Sequence, residues 1–346
     1  MEILTMPLRF LARVLSPAVD PIRRRLPTQI SRGTKWLAWA TLISNVGIIL
    51  TGGAVRLTAS GLGCPEWPRC TADSWISTPE MGMHGAIEFG NRMLTYVLVA
   101  ICAAMFLALV RLWETHRSLV GLSIFILCGI PLQAVIGGIT VWTNLNPWVV
   151  ALHFLASAAL VMAATMLLLR VKVELKHNGE TGRPLVDGPS DGFARTMASV
   201  VIVSAWAAVV VGTVVTGTGP HAGDPGSPRH EFDAEFVTRL HVIPVYILCA
   251  ATIAIIARQR MIGSSPAQQR AAWFLVAVIV AQGIIGYWQH WTGLPIGLVW
   301  VHMLGSALTV VAATMVYDRH RATYRTRGLG TPAEQPTTST PPAVPA

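Results

Sequence analysis

The feature that most constrains this chain is a series of apolar stretches, each long enough to cross a bilayer. Spanning the hydrocarbon core takes roughly 20 mostly apolar residues in a helix. Eight such runs lie near 36–55, 88–110, 119–141, 148–169, 196–217, 237–257, 271–290 and 296–317. Lipid at that depth satisfies no backbone hydrogen bonds, so only helices or closed barrels span it, and strand signals are weak here. The expected fold is an all-α integral membrane protein of eight transmembrane helices. Composition agrees: 53% of the 346 residues are hydrophobic and 12% charged, against about 25% charged in soluble domains.

The net charge of +9 raises the question of nucleic acid. Nucleic-acid binders gather their bases among polar residues, whereas here the bases punctuate apolar runs, so the partner read from them is membrane lipid and not nucleic acid. All but five of the 26 Lys and Arg fall in the N-terminal segment, in alternate loops, or after the last run; the five are Arg56, Arg69, Arg92, Arg229 and Arg239. The positive-inside rule then puts both termini in the cytoplasm of a multi-pass plasma-membrane protein. Residues 1–35 form a basic cytoplasmic segment without the apolar core or cleavage site of a signal peptide. Residues 171–195 read as a cytoplasmic linker. The Pro- and Thr-rich end, within 319–346, reads as a disordered tail.

The chain also repeats itself. QAVIGGITVWTNLNPWVVALHFLASAALVMAATM, from Gln133, aligns without gaps with QGIIGYWQHWTGLPIGLVWVHMLGSALTVVAATM, from Gln282, at an offset of 149. About half the positions are identical, well above chance for apolar segments. The alignment pairs Gln133 with Gln282, Gly137 with Gly286, Trp142 with Trp291 and His153 with His302. A weaker match pairs Glu88 and Arg92 with Glu235 and Arg239. The chain is therefore expected to hold two parallel four-helix repeats, 36–170 and 196–318, unlike the inverted repeats of many transporters.

Ionisable groups at membrane depth are costly and usually functional. His153 and His302 lie in matching places, each roughly 9 Å from the outer ends of their helices by helical rise, and His241 lies at the outer start of the sixth run. A lone histidine on an apolar helix often just bonds a neighbouring helix. Two at matched positions, with a third at similar depth, point instead to haem, whose iron takes imidazole ligands and whose macrocycle fits between facing helices. His241 and His302 would ligate one haem in the second half, and His153 would face another in the first. On the second helix His84, Glu88 and Arg92 are spaced i, i+4, i+8 and share a face, with Asn91 beside it. Glu88 can accept a proton or stabilise a developing cation; the plainer alternative is a structural ion pair with Arg92. Arg56, Arg92 and Arg239, near the outer mouths, can pair with haem propionates or with carboxylates of the protein.

The first outer loop, GGAVRLTASGLGCPEWPRC, places Cys64 and Cys70 on the oxidising side, where a disulfide can persist. The five cysteines show no CxxC or zinc spacing, and Cys102, Cys128 and Cys249 read as free thiols within helices. His221, Asp224, His230 and Glu231 in the third outer loop can form a metal site or, more plainly, a solvated lid. His290 has no histidine partner in the repeat. No Walker A motif is present.

At these residues the chain resembles the haem A synthase family. The likeness covers about residues 36–320 and rests on GGAVRLTASGLGCPEWPRC, IEFGNR (87–92), TGTGPHAGD (216–224) and the three histidines. The resemblance implies oxidation of the C8 methyl of haem O to a formyl group by successive hydroxylations, the diol then losing water, to give haem A for terminal oxidases. It implies haem b as cofactor on His241 and His302, substrate haem facing His153, Glu88 as the catalytic residue and Cys64–Cys70 as a disulfide pair. Haem O synthase, terminal oxidase assembly and a second copy of the chain would be its partners. Two departures stand out. Asn91 occupies the place where the family often has a histidine, in an E-x-x-H-R pattern, and the third outer loop lacks a second cysteine pair. A dihaem electron-transfer cytochrome and the membrane subunit of a transporter are the competing readings.

Overall fold

The computed structural model describes residues 25–176 and 188–321. Most of the basic N-terminal segment, the middle of the linker and the terminal tail lie outside the described residues.

Eight long helices make up the described chain. They are α1 (Arg32–Leu57), α2 (Gly82–Leu109), α3 (Arg117–Trp142), α4 (Pro147–Lys176), α5 (Gly192–Thr218), α6 (Ala234–Ile262), α7 (Pro266–Trp291) and α8 (Ile296–Arg321). Each is long and apolar enough to cross a membrane, and no strand occurs among the described residues. The chain is a multi-pass membrane protein. At 26 to 30 residues the helices run about 39–45 Å, longer than the hydrocarbon core, so their ends project beyond it.

Local chemistry sets the helix starts. Ser31, Asp191, Asp233 and Ser265 each accept a hydrogen bond from a backbone N–H of the first turn, satisfying donors a helix start leaves orphaned. Pro147 and Pro266 occupy first positions, where the missing N–H costs nothing. α2 begins six residues before the apolar run 88–110 does. Its opening turns, Gly82–Ile87, contain two glycines and His84 and follow a short 3-10 turn at Pro79–Met81; the helix continues through them because His84 and Gly85 pack against the first long loop.

The helices pack in two tiers. α4 and α8 meet at the centre and each also contacts α1 and α5, while α2, α3, α6 and α7 each lean on a sequence neighbour outside them. Of the consecutive pairs α6 and α7 touch least, and Tyr246, Ile247, Ile284, Tyr287 and Trp288 on these two helices are exposed. The core is aliphatic: Leu109, Ile126, Ile130, Val161, Leu167 and Val171 in one cluster, Val201, Ile255 and Leu275 in another.

The loops 58–81, 143–146, 219–233 and 292–295 interlock at one end of the bundle. Gly61 N–H donates to the Gly223 carbonyl at 2.8 Å, and Leu145 packs against both glycines. Arg56 Nε donates to the His221 carbonyl at 2.7 Å, and His221 Nε2 meets the Leu294 carbonyl at 2.9 Å. The other end is tied by polar contacts across helices: Arg170 with Asp318, Arg258 with Asp191, and Ser190 with His320. The hydrogen bonds from Arg258 and from the Ala194 N–H hold the Asp191 carboxyl below the usual carboxylate range, so that link stays charged at neutral pH.

Candidate haem and catalytic site

The site is assembled around the disulfide-bearing loop. Cys64 and Cys70 are bonded to each other and fully buried. The short ring they close presents its backbone to α2. Cys64 N–H donates to Glu88 Oε2 at 2.6 Å, and the other carboxylate oxygen, Oε1, takes Arg92 Nη2 at 2.5 Å. Arg92 also donates to the carbonyls of Cys64, Glu66 and Arg69. One i,i+4 pair on α2 thus fastens the whole loop. Glu88 is buried, and each of its oxygens accepts one strong hydrogen bond while retaining lone-pair capacity for another. It can hold negative charge beside a bound substrate.

The loop reaches α3 as well. Trp67 meets Trp142 edge-on, with ring centroids 5.3 Å apart, and Trp142 Nε1 donates to the Trp67 carbonyl at 3.2 Å. The Trp67 ring lies directly over Gly138, where any side chain would collide with it. The next glycine, Gly137, seats His153: a Cβ built there would lie 3.4 Å from the ring Cε1. A continuous chain of contacts therefore runs from Glu88 through the loop to the helical turn that holds His153.

The three membrane-depth histidines share one local design. His153 of α4 lies on Gly137 of α3, His302 of α8 on Gly286 of α7, and His241 of α6 on Gly212 of α5. Each ring turns its edge to a bare stretch of the neighbouring helix. In all three Nδ1 is buried without a hydrogen-bond partner, while Nε2 is not among the buried atoms. His241 and His302 are near enough to interact electrostatically. An imidazole with a buried Nδ1 and an open Nε2 is a ready ligand for a metal at the ring's outer nitrogen. This donor set fits haem iron.

Asn91, in contrast, is turned inward to α1 and accepts a hydrogen bond from Thr51 Oγ1 at 2.7 Å. His84 is oriented by Ser60, whose Oγ lies 2.9 Å from Nδ1; the fully buried Ser60 is in turn bonded to Thr58. His84 sits two helical turns nearer the loops than Asn91. His290 lies in the last turn of α7.

Three of the basic residues near the loops are engaged within the protein. Arg56 bonds the carbonyls of His221 and Thr216, Arg92 the disulfide loop, and Arg239 the exposed Glu235. The polar residues of the third loop do not converge: His221 bonds Leu294 and His230 stacks on Trp148 at 4.3 Å between centroids. Burial and the nearby Arg56 lower the His230 pKa, so this ring is neutral. Among the described residues no group of three metal-ligating side chains forms. Sequence reasoning did not find the three glycine seats, although an Ile-Gly pair places a glycine four residues after both Gln133 and Gln282. Nor did it find the Ser60–His84 and Thr51–Asn91 bonds, which join residues with no shared periodicity.

Comparison with known proteins adds independent findings. The family model described as cytochrome oxidase assembly protein (COX15-CtaA) matches residues 35–222. A haem A synthase of Shewanella oneidensis is 28% identical over 194 residues, 53% of this chain and 55% of that protein. One from Geobacillus thermodenitrificans is 28% identical over 207 residues, 58% of this chain and 61% of that protein. The chain thus spans a little over half the length of these two relatives. A haem A synthase of a Methylobacterium strain aligns more fully, at 25% identity over 88% of this chain and 95% of that protein.

Proposed function

The chain belongs to the cytochrome oxidase assembly protein family COX15-CtaA, and from that premise we propose that it is a haem A synthase, oxidising the C8 methyl of haem O to the formyl group of haem A. The observation that carries this reading is the joining of a buried carboxylate, Glu88, through the disulfide loop to the turn that seats His153.

In this reading haem b is held in the second half by Nε2 of His241 and His302, where, when bound, it supplies one-electron transfer. Substrate haem O enters the first half with its iron toward His153. Asn91 is committed to Thr51 and is a poor ligand for iron, so His153 rather than Asn91 would face the substrate iron. A plain dihaem cytochrome would need two fixed ligands at each haem, and the Asn91 bond disfavours it. Arg92 and the Cys64 N–H orient the Glu88 carboxyl, which as a carboxylate would stabilise positive charge developing at the oxidised methyl carbon. The disulfide loop covers this end and excludes bulk water. Arg56, Arg92 and Arg239 lie at the end where propionates would emerge. Both termini would face the cytoplasm of the plasma membrane, with haem O synthase upstream and terminal oxidase assembly downstream; self-association is part of the same proposal.

The test is to co-express the chain with a haem O source, purify it from membranes and analyse its extracted pigment. Haem b together with newly formed haem A is the expected result. Bound haem without conversion would replace the reading with the cytochrome, and absence of haem would overturn both. His302→Ala is expected to lose the bound haem b.

A further inference from the structure

Both repeat copies bury a glutamine beside their histidine, and that glutamine is half satisfied. Gln133 Nε2 donates to the backbone carbonyl of His153 at 3.0 Å, and Gln282 Nε2 donates to that of His302 at 3.1 Å. The amide orientation follows from chemistry, since turning the oxygen toward a carbonyl would set two acceptors against each other. The remaining atom, Oε1, is buried without a partner in both residues. So is Nδ1 of both histidines. An orphaned acceptor and an orphaned donor therefore belong to the same pair of side chains, twice, at matched positions. Leaving buried polar groups unpaired costs more than an ordinary hydrogen bond contributes, and a leucine at 133 or 282 would avoid that cost.

His241 explains what the arrangement serves. The backbone of Ala208 is a polar neighbour of this ring, whose Nδ1 is likewise buried without a hydrogen bond. Ala208 lies four residues before the seat Gly212, as Gln133 does before Gly137 and Gln282 before Gly286. All three histidines thus have a polar neighbour at one register of the neighbouring helix: the main chain for His241 and a side-chain amide for the other two. Gln282 is pressed against Gly305 of α8, where any side chain would overlap its amide. Gln133 shares its Nε2 with Ser157 Oγ at 2.6 Å. Neither amide can swing away.

We propose that Gln133 and Gln282 are positioning residues that hold the backbone of His153 and His302 and accept the ring Nδ1–H through one bound water. The inference rests on the haem reading above. An imidazole that ligates through Nε2 carries its proton on Nδ1 and needs an acceptor there, and such partners orient metal-bound histidines and raise their basicity. A stronger acceptor gives the ring more imidazolate character, which favours ferric over ferrous iron and lowers the reduction potential. Gln133 does this at the substrate position and Gln282 at the resident haem.

Redox titration of the purified, haem-loaded full chain tests the idea. Gln282→Met keeps the length and removes the acceptor, so the midpoint potential of the resident haem should rise. Gln282→Glu strengthens the acceptor, and the potential should fall. Gln133→Met should leave that potential unchanged and weaken retention of added haem O. Unchanged potentials in both Gln282 variants, or shifts of the same sign, would overturn the proposal. If His302→Ala retains its haem, the axial-ligand reading itself fails, whatever the glutamine variants do.

Discussion

Two ion pairs with the same spacing, at the same ends of corresponding helices, have opposite surroundings. Glu88 and Arg92 on α2 have side chains only 8% and 20% exposed; Glu235 and Arg239 on α6 are 68% and 77% exposed. Both are i,i+4 pairs, and by sequence they align with each other. The difference comes from what lies above them. A disulfide-closed loop folds down on the first pair and gives it the Cys64 N–H and three carbonyls. The second pair has each other and solvent. An acidic and a basic residue one turn apart become a site only when another segment desolvates them, because exposed pairs contribute little and buried ones couple strongly to whatever is bound beside them.

The largest expected effect breaks this comparison at the carboxylates. Glu88→Gln should lower haem O oxidation by about 10²-fold or more, the range for a positioned acid–base or charge-stabilising group, while haem b stays bound. Glu235→Gln should leave turnover unchanged. Pigment extraction after co-expression measures both, and full conversion by Glu88→Gln would remove Glu88 from the chemistry.

The arginines give a smaller effect, on stability. Arg92→Ala strands a buried carboxylate and frees three loop carbonyls, and should cost about 3 kcal/mol. Arg239→Ala removes a solvent-screened partner and should shift thermal unfolding in detergent by less than the error of the measurement. Equal shifts would mean the loop contributes nothing to the first pair.

Much of this was readable before the structure, for definite reasons. Spans follow from length and hydropathy, and the shared face of His84, Glu88 and Arg92 from helical period. The disposition of Arg56 was not readable. It reaches residues 160 and 165 positions away, and no local pattern reports a contact between two loops that the fold brings to one end. Asn91 looked like a missing ligand; its actual partner, Thr51, lies on a helix whose register against α2 is set by packing. The repeat pointed to Gln133 and Gln282 as matched residues, yet their role depends on which helix face meets the histidine, and α3 and α7 are apolar all round.

The smallest effect separates the histidine seats from one another. Replacing a mid-helix glycine by alanine favours the helix by up to about 1 kcal/mol, so the outcome depends on the space available. At Gly286 a Cβ would lie 3.6 Å from His302 Cε1, an ordinary contact, and at Gly137 it would lie 3.4 Å from His153. At Gly212 it would lie 3.1 Å from His241 Cε1 and 3.4 Å from Nδ1, so the ring must give way. Gly286→Ala should therefore raise the unfolding temperature and leave the haem absorption spectrum unaltered. Gly212→Ala should gain less stability and shift that spectrum, because His241 tilts while His302 does not. The first half joins the comparison through Gly137→Ala, which should behave like Gly286→Ala in stability and leave the resident haem spectrum untouched. A spectral change in Gly286→Ala with none in Gly212→Ala would show that these glycines do not govern how the rings are presented.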